Sequence, residues 1–362
     1  MITEKHGKVT KGLGGLYEVR IDDGGEVSRL ACRAKGNLKR DEEKLLIGDN
    51  VTVQIDDSTP DGIVIASFDE RKNSLIRPPL ANLDYLFIVF AAAKPSPVIE
   101  TVDKLIAIAV HNDIHPVVVI TKTDVDPTAA DEYAEIYKLS GIETFVTSSM
   151  AGDGVEALSL YIKNEVKCGK TAAFAGASGV GKSTLMNALF PGLTLATAEI
   201  SRKIERGRHT TRHVEIFDIE KSADTGFLAD TPGFSLIDFA RFDFFSLDEL
   251  LPTFPELLPY LGKCRYADCA HVGEGAEECA VARAAAEGKI AESRLNSYRS
   301  IWRTLKDKTT YSAFSRWRRL KYKNALIKSA FFLYNYNIAK PVKLSNIVTM
   351  IFSCDDNIGA FN

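Results

Sequence analysis

Apolar positions along the chain follow one rhythm near its start and another through its middle. Short alternating strands are predicted at residues 7–10, 16–21, 27–32, 51–55 and 62–66, with Asp23-Gly24-Gly25 as a tight turn. Five such strands in so short a span predict a small β-barrel of the OB type. From residue 85 the pattern changes. Continuous apolar runs at 85–91, 117–120 and 172–176 read as buried strands, whereas Val98, Val102, Leu105, Ile106 and Ala109 fall at helical spacing within 97–111. Helices at 131–139 and 155–166, with strands at 143–147, 213–219 and 226–229, continue the alternation and predict an α/β domain built on a parallel sheet. Residues 247–261 are helical but broken by prolines, and helices at 282–288 and 291–306 follow, the latter with Leu295, Tyr298, Ile301, Trp302 and Leu305 on a packing face. The expected division is a barrel over 1–70, an α/β domain over 71–245, a mainly helical module over 246–320, and a tail over 321–362 to which no motif gives a role.

Composition narrows this picture only slightly. The 362 residues are 45% hydrophobic and 26% charged, ample for two or three soluble domains. No run reaches membrane-spanning length and the first twenty residues lack the apolar stretch of a signal peptide, so a cytoplasmic protein without membrane contact is expected, and a monomer. A net charge of −3 gives no general argument for nucleic acid. Any such contact must come from local clusters: Arg33, Lys35, Lys39, Arg40 and Lys44 could meet phosphates or could simply form a solvated loop beside Asp41, Glu42 and Glu43.

The chemistry is concentrated in Gly176-Ala177-Ser178-Gly179-Val180-Gly181-Lys182-Ser183-Thr184, a GxxxxGKS loop between a predicted strand and a predicted helix. Glycines let successive backbone N–H groups turn toward the β-phosphate, and the helix adds the positive end of its dipole. Lys182 is then expected on the β- and γ-phosphates and Ser183 on Mg²⁺. Base selection falls to Thr121-Lys122-Thr123-Asp124, a variant of NKxD, where the Asp124 carboxylate can accept from guanine N1–H and N2–H₂, a pair adenine cannot offer. Thr121 stands where Asn is usual and keeps only a hydroxyl. Ser148-Ser149-Met150 follows the next strand and is suited to place backbone N–H groups on guanine O6. Downstream, Gly207-Arg208-His209-Thr210-Thr211 is a candidate first switch, with one of Thr210 and Thr211 for Mg²⁺. Asp230-Thr231-Pro232-Gly233 reads as DxxG, in which the Asp holds a Mg²⁺-bound water and the Gly233 N–H touches the γ-phosphate.

The base-reading loops here precede the phosphate loop, the reverse of the usual order. This is harmless in a parallel sheet, since all these loops leave strand carboxyl ends and meet in one crevice. TKTD, SSM, GASGVGKS, RHTT and DTPG in that order resemble the circularly permuted GTPases of the RsgA (YjeQ) family, from about Gly7 to about Leu320. The resemblance implies late maturation of the small ribosomal subunit, GTP and GDP as ligands, ribosomal RNA contacted by the barrel, and release after hydrolysis.

Phe234 follows DxxG where many GTPases carry a water-orienting Gln, so intrinsic turnover should be slow and stimulated by the subunit. His209 is the nearest candidate to orient or deprotonate that water, and the resemblance implicates the same position. Cys264, Cys269, His271 and Cys279 supply three thiolates and an imidazole, a donor set for one closed, structural Zn²⁺ site. The interval before Cys279 is longer than in the resembled family. A different class of function also fits: a guanine-nucleotide-sensing RNA-binding scaffold with little turnover.

Overall fold

The protein is described by a computed structural model covering residues 2–39, 44–56, 58–59, 62–76, 78–191, 214–220, 222, 224–230 and 244–308. In chain order the first elements are β1 (Ile2–Leu13), β2 (Leu16–Asp23), β3 (Glu26–Ala34), β4 (Asn50–Asp56), β5 (Ile63–Phe68), β6 (Ser74–Leu75) and β7 (Leu80–Ala81). Then come β8 (Tyr85–Ala91), α1 (Ile99–His111), β9 (His115–Thr121), α2 (Pro127–Leu139), β10 (Glu143–Val146), α3 (Val155–Glu165), β11 (Thr171–Ala175) and α4 (Lys182–Leu189). The series ends with β12 (Glu215–Asp218), β13 (Phe227–Asp230), α5 (Ala280–Ala286) and α6 (Glu292–Lys308). Among the described residues no helix is long and apolar enough to cross a membrane. The chain divides into two compact units, one of residues 1–97, 112–134 and 144–237, the other of 98–111, 135–143 and 238–362.

In the first unit the five N-terminal strands close on themselves. β1 pairs with β2 through Gly7 to Leu13 and with β4 through Ile2 to Lys8, so one long strand serves two neighbours. Pairing of β2 with β3, β3 with β5 in parallel, and β5 with β4 completes the ring, the expected OB barrel. β1 runs well beyond the 7–10 that its alternation suggested, because the closing partner β4 extends it toward the N-terminus. Gly7 sits at the shared point, where a Cβ would lie 2.5 Å from the Arg20 carbonyl oxygen. Inward positions Val9, Val19, Ile21, Cys32, Val51, Val53 and Ile65 fill the interior. Each large aliphatic buried this way contributes roughly 1.5–3 kcal/mol.

The same unit holds the sheet in the order β10-β9-β8-β11-β13-β12, which continues into β1 of the barrel. β8, β9, β11 and β13 run parallel and β12 antiparallel to β13. Every residue of β8 and β11 is buried, which explains why their sequences are apolar apart from Thr171 at the start of β11. Phe87 and Phe174 stack across this pair with centroids 4.9 Å apart. His115 packs edge-on against Tyr85, and burial pushes its pKa down to about 4, so it is a neutral core residue.

The second unit contains α1, the short 3-10 turns at Leu247–Glu249, Leu251–Thr253 and Pro255–Tyr260, α5 and α6. The prolines that interrupt 247–261 limit this stretch to turns rather than a helix. At its centre Arg294 is fully buried, with Nη1 2.8 Å from Asp103 and Nε 2.7 Å from Glu256. Its guanidinium also lies over the Phe254 ring at 4.5 Å, and the Tyr137 hydroxyl donates to Asp103. Burial pushes the Asp103 carboxyl up while Arg294 pulls it down, and burial wins. Breaking such a buried cluster by removing its one cation strands two carboxyl groups. Arg294→Ala is therefore expected to cost about 3–5 kcal/mol, read as a lower midpoint in thermal or urea unfolding; a change below about 1 kcal/mol would contradict it.

Candidate functional site

The candidate nucleotide site is built where the carboxyl ends of β9, β10 and β11 meet. β11 delivers the chain into Gly176, where a Cβ would lie 2.3 Å from the Val89 carbonyl oxygen, so only glycine fits against β8. Gly179 and Gly181 take positive φ values of 81° and 95°, the left-handed conformations that let the loop curl. Gly181 is the N-cap of α4, and Lys182, Ser183 and Thr184 form its first turn. Ala177, Ser178, Gly179, Ser183 and Thr184 are exposed, Lys182 is half-buried, and Val180 anchors the loop in the core. Four exposed or half-exposed loop residues followed by a helix start make an anion cradle.

The end of β9 is fastened to this loop. The buried Thr121 hydroxyl lies within hydrogen-bonding distance of the carbonyls of Val180 and Phe90. Lys122 donates from Nζ to the carbonyls of Gly179 at 2.8 Å and Lys94 at 2.7 Å. To do so Lys122 adopts φ 56°, a left-handed backbone that costs a non-glycine residue about 1–2 kcal/mol. The Thr in place of Asn thus works on the loop backbone, which needs only a donor. Thr123 is half-buried beside them, its N–H directed at the Thr147 carbonyl at 3.5 Å.

Asp124 is exposed, and one carboxylate oxygen accepts from the Ser148 hydroxyl at 2.6 Å. That oxygen is oriented by a fully buried residue. The Ser148 N–H is already committed to the Asp153 carbonyl at 2.9 Å, and its Oγ accepts from Ala151 N–H at 3.1 Å. Ser148 therefore shapes the loop and aims Asp124, which leaves Ser149 and Met150 as the loop residues suited to guanine O6. Met150 is 85% exposed, an unusual position for so apolar a side chain. Sequence reasoning missed Lys94, Asp153 and the carbonyl of Val180, because they act through backbone atoms that no residue type signals.

Asp230 closes β13, where its backbone pairs with Glu215. His209, Thr210, Thr211, Gly233 and Phe234 lie outside the described residues, as do the tail from 321 and Arg40 of the basic loop.

In the second unit Cys264, Cys269, His271 and Cys279 bring one ligand atom each to within 4.8 Å of all the others. His271 Nδ1 lies 3.5, 3.4 and 3.4 Å from the sulfurs of Cys264, Cys269 and Cys279, and Cys264 and Cys279 are 3.9 Å apart. Tetrahedral zinc with bonds of about 2.3 Å to sulfur and about 2.0–2.1 Å to nitrogen sets neighbouring donors about 3.8 Å (S to S) and about 3.6 Å (S to N) apart. The residues fit that ion. Ala280 N–H and Ala282 N–H point at the sulfurs of Cys264 and Cys279, the latter as N-cap of α5; burial pushes the Cys279 thiol up, and the Ala282 N–H offsets part of that. His271 holds φ 62°, and α6 secures this strained segment through Tyr298 to the Ala270 carbonyl and Arg299 to the His271 carbonyl. The longer interval before Cys279 is absorbed in a turn closed by Cys279 N–H to the Gly275 carbonyl.

Residues 6–64 match the family model described as RsgA N-terminal domain, and residues 68–240 the one described as RsgA GTPase. The small ribosomal subunit biogenesis GTPase RsgA of Agathobacter rectalis is 33% identical over 313 residues, 84% of this chain and 99% of that protein. RsgA 2 of Listeria monocytogenes is 40% identical over 306 residues, covering 83% and 98%. Of solved structures, YloQ, a circularly permuted GTPase, has a TM-score of 0.67 and 31% identity over 86% of this chain and 98% of that one. YjeQ from Thermotoga maritima has a TM-score of 0.65 and 30% identity over 84% and 99%.

Two measurements check the geometry. Elemental analysis of the purified chain should find zinc in a one-to-one ratio, lost in Cys264→Ser or Cys279→Ser together with a fall in melting temperature; full zinc content in Cys279→Ser would contradict the ligand set. Ser148→Ala should weaken GTP by about 0.5–1.5 kcal/mol in direct titration, through loss of the bond that aims Asp124, while leaving zinc content unchanged.

Proposed function

Because the chain belongs to the RsgA family of circularly permuted GTPases, we propose that it hydrolyses GTP as an assembly factor for the small ribosomal subunit. One observation carries the enzymatic half: Thr121 and Lys122 are bonded to the carbonyls of Val180 and Gly179, so the base-reading and phosphate-binding segments form one site. Asp124 selects guanine, with the Ser149 and Met150 N–H groups on O6. The loop from Gly176 to Thr184 cradles the phosphates, and Lys182 bears on the β- and γ-oxygens. Ser183, one of Thr210 and Thr211, and Asp230 through a water are the residues that would hold Mg²⁺, which supplies charge neutralisation at the phosphates. His209 orients the attacking water in place of the Gln that Phe234 displaces.

We assign the division of labour along the boundaries expected from the sequence. Residues 1–70 form an RNA-binding barrel, 71–245 the GTPase and 246–320 a zinc-stiffened module, with barrel and module gripping ribosomal RNA of the small subunit. The ordered switches favour the bound state, and loss of the γ-phosphate releases the factor. A monomer acting in the cytoplasm, away from membranes, suits a partner of that size and kind. Support comes from the names of the relatives and the matched barrel and GTPase regions.

The test is GTP hydrolysis with and without purified small subunits. Turnover should be slow alone, rise on adding subunits, and vanish in Lys182→Ala with the fold intact by circular dichroism. Unchanged low turnover combined with tight, nucleotide-insensitive subunit binding would favour the scaffold reading instead.

A further inference from the structure

β12 and β13 are the two strands between the switch motifs. The first begins at Glu215, shortly after Thr211 in sequence, and the second ends at Asp230. The outer edge of this hairpin is held by the barrel. At the switch end, Lys11 of β1 pairs with Glu215 both in strand register and by an ion pair of 3.1 Å, and Glu215 in turn pairs with Asp230. Three strands thus line up from the barrel to the first residue of DxxG.

At the other end Asp218 receives two arginines of the barrel. Arg20 Nε lies 2.6 Å from Oδ1 and Arg29 Nη2 2.6 Å from Oδ2. The Arg20 contact is an ion pair rather than an aligned hydrogen bond, since neither of its atoms has a hydrogen-bonding partner. Arg20 also donates to the Ser222 carbonyl in the hairpin turn and covers the Phe227 ring, with Lys8 over the same ring at 5.2 Å. Arg29 is shared with Glu18, whose carboxylate also accepts from Thr10. Arg20 is only 6% exposed, so this pair is shielded from the water and salt that weaken surface ion pairs.

We infer that Asp218, with Arg20 and Arg29, is a positioning device for GTP hydrolysis: it fixes the strand pair that carries Asp230 to the barrel, so that barrel and switch motifs respond to each other. This rests on the GTPase reading above. The coupling is reciprocal by thermodynamic necessity, because whatever shifts the hairpin on nucleotide exchange must also load the barrel, and whatever binds the barrel must bias the hairpin. None of the three side chains belongs to the nucleotide site, whose base and phosphate contacts come from β9, β10 and β11.

The experiment uses the full chain with Asp218→Asn, Arg29→Gln and the double variant, measuring steady-state GTP hydrolysis and equilibrium binding of a fluorescent GDP analogue. Each single variant should lower kcat about 5–10-fold, the double variant should fall no further, and GDP affinity should stay within about twofold. Asp218→Glu, which keeps the charge, should recover most of the rate. Hydrogen exchange of the β1–β3 amides should differ between GDP and a non-hydrolysable GTP analogue in the native chain and not in Asp218→Asn. Unchanged kcat, equal losses of kcat and GDP affinity, or nucleotide-independent exchange in the native barrel would overturn the inference. A native chain that binds no guanine nucleotide would refute the GTPase reading as well, and the GDP titration separates that result from a failure of the clamp alone.

Discussion

A hydroxyl and an ammonium at the end of β9 hold the backbone of the phosphate loop, and the nucleotide site depends on those bonds. Phosphate loops expose many N–H groups and therefore aim carbonyls the other way, where each needs a donor. Thr121 and Lys122 answer that need from the end of a strand of the same sheet, separated from β11 by β8. The residues that satisfy the loop also start the turn that ends in Asp124, so the two segments are held by one set of contacts. Chain order is irrelevant to this, because β8, β9 and β11 are neighbours in the sheet whichever is made first.

That independence explains what could be read from sequence. GxxxxGKS, TKTD and DxxG are legible because each demands particular residue types at fixed spacing, and the strands beneath them are legible because β8 and β11, buried on both faces, are apolar apart from Thr171. The same holds for Cys264, Cys269, His271 and Cys279, whose donors converge as their clustering implied. What escaped is of another kind. The roles of Thr121 and Ser148 depend on which backbone groups lie opposite, and the full length of β1 depends on β4, whose partners for residues 2–6 lie about fifty residues away in sequence. Arg294 is illegible for a related reason: an arginine on a predicted helix reads as solvated until Asp103 and Glu256 are brought to it from distant segments.

The two units solve stability differently. The barrel and sheet rely on apolar interiors, whereas the second unit combines a buried ionic cluster with a four-donor metal centre. The proline-interrupted run of 3-10 turns buries Leu250, Phe254 and Leu257, and directional ties are added to that packing. Zinc and Arg294 are such ties, each tolerating few alternative geometries. α6 serves both, since it carries Arg294 and also braces the His271 segment through Tyr298 and Arg299.

Charge on the barrel leads to the same conclusion about how its surface is used. Lys5, Lys11, Arg20 and Arg29 are matched with Asp23, Glu215, Asp218 and Glu18. The outer face of β1 to β3, which an OB barrel commonly offers to oligonucleotides, is here engaged with the hairpin that ends in Asp230. A phosphate ligand competing for Arg29 would meet a carboxylate already in place at 2.6 Å. Arg33 and Lys35 remain exposed past the end of that lattice. Among the described residues the barrel's cations thus divide into a set bonded to its own chain and a set, Arg33 and Lys35 among them, that stays exposed, so a phosphate partner would be met by the second set.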